Sequence, residues 1–76
     1  MIVKDNIVKI NFNKKFYNIK TIKEASEAFK EFGTFSLQDK EHISVSIKIK
    51  EKENAETIGY EFCNYILALM KNEALV

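Results

Sequence analysis

Cys63 and His42 are the only residues of their types in a chain of 76, so nucleophilic or metal chemistry would have to be built on them. A zinc site gathers three or four ligands in a close cluster. Two Asp and nine Glu accompany these residues, with no CxxC, no HxxxH and no paired Asp motif. Cys63 lies inside an apolar stretch where a thiolate is disfavoured. It reads as a small packed side chain, and His42 as the residue that opens a strand. Gly33 and Gly59, the two glycines, stand far apart and make no phosphate-cradling loop. No catalytic residue, metal ligand or cofactor-binding residue is expected, and an enzyme has no dyad or triad to stand on.

The cations are more numerous but no more specific. All twelve basic residues are lysine, and eleven acids leave a net charge of +1. Arginine is the favoured side chain for bidentate contacts to phosphate and guanine, so its absence weighs against reading of bases. Lys9, Lys48 and Lys50 nevertheless share one face of the predicted strands, which makes nucleic-acid binding on that face the alternative function. The face lacks the aromatics on which single strands stack.

The stretch Ile58–Met70 carries the strongest signal. At about 100° per residue in a helix, Ile58, Phe62, Tyr65, Ile66 and Leu69 form one apolar face. Gly59, Cys63, Leu67 and Met70 form a second stripe beside it, bordered by Tyr60. Glu61, Asn64, Lys71 and Asn72, with Ala68, are left for water. A helix of a small domain needs one apolar stripe roughly 100° wide, and this one covers roughly twice that. The surplus implies a contact beyond the domain, with Gly59, Tyr60, Cys63, Leu67 and Met70 as the interaction surface and a homodimer as its simplest product. Gly59 would cost ~1 kcal/mol relative to alanine inside a helix, which close packing across the stripe would explain.

The remaining elements must position that helix. Ile7–Phe12 alternates, with Val8, Ile10 and Phe12 on one face, as a half-buried strand does. Asn18 or Thr21 can cap a helix over about 19–32, Glu24 completing a capping box with Thr21. Gly33 stands where that helix would end on a left-handed residue. Thr34–Gln38 reads as a short strand, Asp39–Glu41 as a turn, and His42–Lys50 as the clearest strand, with Ile43, Val45, Ile47 and Ile49 on one face. Glu51–Asn54 is a charged loop whose Asn54 can cap a last helix over about 55–72. The order β-α-β-β-α predicts an α+β two-layer sandwich. Its three-stranded antiparallel sheet has the order 1-3-2, and both helices cover one face.

Seventy-six residues make one domain, and 46% hydrophobic content argues against disorder. The N-terminus has no apolar run of signal-peptide length. Residues 58–70 are too few for a bilayer, which takes ~20. A cytoplasmic protein is expected.

Two segments, Phe16–Ala25 leading into the first helix and the acidic-aromatic Glu61–Leu67, together with the strand pair between them, resemble the HxsD-like family. These are small accessory proteins of the His-Xaa-Ser peptide-modification system, encoded beside radical-SAM maturases. The similarity runs over about residues 10–72 and rests mostly on core positions. It implies an accessory or scaffolding role, with no catalytic residues to carry over. The partner it implies is a radical-SAM enzyme or its precursor peptide.

Overall fold

The structure, a computed structural model, describes residues 1–51 and 54–74. Among the described residues six elements follow one another: β1 (Ile2–Lys4), β2 (Ile7–Phe12), α1 (Ile19–Ala28), β3 (Gly33–Asp39), β4 (Ile43–Ile49) and α2 (Ala55–Ala74). The sheet is antiparallel throughout, in the order β1-β2-β4-β3. The architecture is α+β, and the expected 1-3-2 order corresponds to β2-β4-β3. The sheet has four strands, however, not three.

The additional strand follows from a two-residue turn at Asp5 and Asn6. Asp5 adopts φ 55°, a left-handed conformation that Asp and Asn tolerate better than other non-glycine residues. The chain therefore folds back, pairing Val3 with Val8 and Ile2 with Lys9. Asn6 fastens the turn to the end of β4: its carbonyl accepts from the Ile49 N–H (2.7 Å), and its Nδ2 donates to the Ile49 carbonyl (3.2 Å).

The core lies between the sheet and the two helices. Ile43, Val45, Ile47 and Ile49 from β4 and Val8, Ile10 and Phe12 from β2 meet Ile22 and Ala25 of α1 and Ala55, Ile58, Phe62 and Ile66 of α2. Phe62 is fully buried, with the rings of Phe35, Phe29 and Phe12 around it at centroid distances of 5.2, 5.7 and 6.4 Å. Full burial of such a side chain contributes ~1.5–3 kcal/mol, so this aromatic cluster is a principal tie between the layers.

Helix α1 begins as one of its two start signals directs. Asn18 Oδ1 accepts from the Lys20 N–H (2.8 Å), whereas Thr21 is buried within the first turn. Its end differs from expectation: the helix stops at Ala28, residues 29–32 form turns, and Gly33 opens β3 without a positive φ. Glycine is needed there for space rather than handedness. A Cβ on Gly33 would stand 2.5 Å from the Lys48 carbonyl oxygen across the strand pair. At the start of α2 the charged loop has its middle, 52–53, outside the described residues.

Candidate interaction surface

Helix α2 packs over the β2 side of the sheet, and that position divides its wide apolar arc. Ala55, Ile58, Gly59, Phe62 and Ile66 are buried, while Cys63, Leu69 and Met70 are half-buried at the core's margin. Beyond them Leu67 is 51% and Tyr60 55% exposed. Tyr60, Cys63, Leu67 and Met70 recur at spacings of 3, 4 and 3, so they run as one strip along the helix flank.

Gly59 is used within the protomer. A Cβ there would lie 2.6 Å from Met1 Sδ and 3.1 Å from Val8 Cγ1. The missing side chain thus lets the N-terminus lie against the helix. Met1, 48% exposed, therefore lies beside the strip at Gly59, and Val3, 37% exposed, stands on the core-facing side of β1. Sequence reasoning missed both residues because it missed β1. The Asp5-Asn6 pair between Ile2-Val3 and Ile7-Val8 was the available signal.

On the opposite flank Tyr65 sets its ring edge-on to Phe29 at 5.5 Å; Asn64 is exposed.

Cys63 is a free thiol beside Met1's end of the strip. Burial pushes its pKa up, outweighing the N-terminal ammonium, which pulls the other way. At neutral pH the group is a neutral thiol, a packing atom rather than a nucleophile. His42 is exposed at the β3–β4 turn, where its carbonyl accepts from the Lys40 N–H (3.1 Å). Among the described residues no three of His, Cys, Asp and Glu gather as a metal site would require. No helix among them is long and apolar enough to cross a membrane.

The far face of the sheet is open. By register, Lys9 and Lys48 stand on it with Lys4, Asn11, Thr34, Ser36, Gln38, Ser44 and Ser46. Ser44 Oγ donates to Asn11 Oδ1 (2.9 Å). The strand residues of this face include no carboxylate and no aromatic ring. Its apolar members are Ile2 and Ile7, both exposed.

Compared with protein-family models, with curated proteins and with solved structures, the chain matches none.

Proposed function

We propose that this protein is a non-catalytic accessory module that docks on another protein chain through the outer flank of α2 and the N-terminal residues beside it. The observation that carries the reading is the exposure of Leu67 and Tyr60 on one flank of α2, with Met1 lying against the same helix at Gly59. A domain of this size has little apolar surface to spare, yet here several large side chains form one strip. Covering Leu67 alone contributes up to about 1.5–3 kcal/mol. The resemblance to the HxsD-like family gives the partner's class: a radical-SAM peptide-modifying enzyme or its precursor peptide, with a second copy of the chain as the other occupant. A cytoplasmic setting fits a lone free thiol.

The test is Leu67→Asp in the full chain. Circular dichroism is expected to show an unchanged fold, because the side chain is half exposed. Co-purification with a radical-SAM protein encoded nearby, or with its peptide, is expected to fall at least about tenfold. Equal binding by the two proteins would end this reading.

The second reading, nucleic-acid binding, draws on the carboxylate-free lysine face of the sheet. It predicts oligonucleotide affinity that falls steeply with salt. An absence of binding at low ionic strength would remove it.

A further inference from the structure

The two edges of the sheet are built differently. β1 is three residues long and carries Lys4, a short charged edge of the kind that discourages further pairing. β3 is seven residues long and has β4 as its one neighbour among the described residues. It contains neither Pro nor Lys, and its register with β4 runs without a bulge from Gly33↔Ile49 to Asp39↔Ile43. Such an edge is a template for another strand.

The register also fixes which backbone groups are available. The Lys50 N–H donates to the Phe32 carbonyl (3.0 Å) across the same pairing. In an antiparallel ladder the bonded pairs alternate, so Thr34, Ser36 and Gln38 turn their backbone groups toward β4. Gly33, Phe35, Leu37 and Asp39 turn theirs outward. Beside them α1 stands back from the edge, leaving a groove of ≈ 520 Å³ between Ser26 and Glu27 on the helix, Lys30 in the turn after it, and Phe35 and Leu37 on the strand. Both strand side chains are only half-buried.

The sequence of the edge is complementary to itself. Laid antiparallel against a second copy about a two-fold axis at Ser36, Phe35 faces Leu37 of the second copy on the helix-covered side. On the open side Thr34 faces Gln38, and Ser36 faces Ser36. Apolar meets apolar at Phe35 and Leu37, polar meets polar at Thr34, Ser36 and Gln38, and at either end Gly33 leaves room for Asp39. The outward groups of Phe35 and Leu37, and of Gly33 and Asp39, then meet in about eight hydrogen bonds. A slip by one residue would set outward groups against inward ones. The edge has one charged side chain, Asp39 at its end, and Lys14 already pairs with it.

We propose that two copies of this chain pair antiparallel through β3, joining two four-stranded sheets into one. This contact lies at the opposite end of the sheet from β1 and the α2 flank, so it neither uses nor depends on the docking surface above. A single strand pair with its flanking groove falls at the low end of stable interfaces, so half-association is expected on the order of 10 µM.

Sedimentation velocity of the full chain, from well below to well above that concentration, is expected to pass from monomer to dimer. Ser36→Lys and Ser36→Glu each place two like charges on the axis, within about 5 Å of one another. Ser36 is exposed, so each variant is expected to fold and to remain monomeric. An equimolar mixture of the two is expected to recover the dimer. In the wild type, exchange of the Phe35 and Leu37 amides should slow as concentration rises, which reads the same contact without a substitution. A wild type that stays monomeric overturns the proposal. So does a dimer that survives both Ser36 variants, or a mixture that fails to reassociate. A dimer lost in Leu67→Asp but kept in the Ser36 variants would assign self-association to α2 instead.

Discussion

The two glycines show how a single hydrogen in place of a side chain can fix an arrangement. At Gly33 the obstacle is backbone, the Lys48 carbonyl oxygen at 2.5 Å from any added Cβ, and a paired strand cannot yield to it. Gly33→Ala is expected to lower stability by about 1–3 kcal/mol, an overpacking cost read from the urea midpoint at constant slope. At Gly59 the nearest atoms are side-chain ends, Met1 Sδ and Val8 Cγ1, and alanine brings back ~1 kcal/mol of helix propensity. Gly59→Ala is therefore expected to lie near neutral, while displacing Met1 from the helix. The contrast between the two positions is the measurement. The Cys63 thiol is half-buried. Burial raises its pKa, so the unfolded chain releases the thiol proton at lower pH than the folded one. The corresponding stability is fully present below the ordinary thiol pKa and is lost as pH climbs through the raised one. Alkylation of the native protein by iodoacetamide at pH 8 is accordingly expected to be slower than that of the urea-unfolded chain.

At the scale of elements, periodicity made the large pieces readable. Four branched residues at every second position of β4, and the alternation of β2, announced strands whose bounds the structure places within a residue or so of expectation. The start of α1 was written in Asn18. Where the reading went wrong, local signals were competing. Gly33 looked like a helix stop because the apolar spacing continues through Phe29 and Phe32, but those rings meet at a tilt, centroids 5.6 Å apart, in a turn beyond the helix. β1 escaped because three residues are too few to show a period, leaving only Asp5-Asn6 to mark it. The excess apolar arc was legible, but not that Met1 would lie against Gly59, since that depends on the hairpin. Asp5→Val puts a β-branched side chain at φ 55°, costs about 1–2 kcal/mol, and is expected to speed amide exchange in β1. Asp5→Gly retains the geometry and should lose less.

The whole molecule hangs on few interactions, and its two proposed contacts lie at opposite ends. For 76 residues the net stability is on the order of 4–11 kcal/mol. Phe62, at the meeting point of Phe12, Phe29 and Phe35, would cost about 3–5 kcal/mol as alanine, a large share of that total. Phe62→Ala is therefore expected to be partly unfolded at 37 °C by circular dichroism, and substitutions at the two surfaces are not. A domain so close to its threshold also reports its own assembly, because a contact made only by folded chains adds stability by mass action. Each kcal/mol gained is worth about 4–8 °C in a domain of this size. The thermal midpoint of the wild type should rise by several degrees from dilute to concentrated solution. Ser36→Lys should flatten that dependence, while Leu67→Asp, acting at the far end of the sheet, should keep it. If the slope instead vanished with Leu67→Asp and persisted with Ser36→Lys, the helix flank would be the surface on which the chain meets itself.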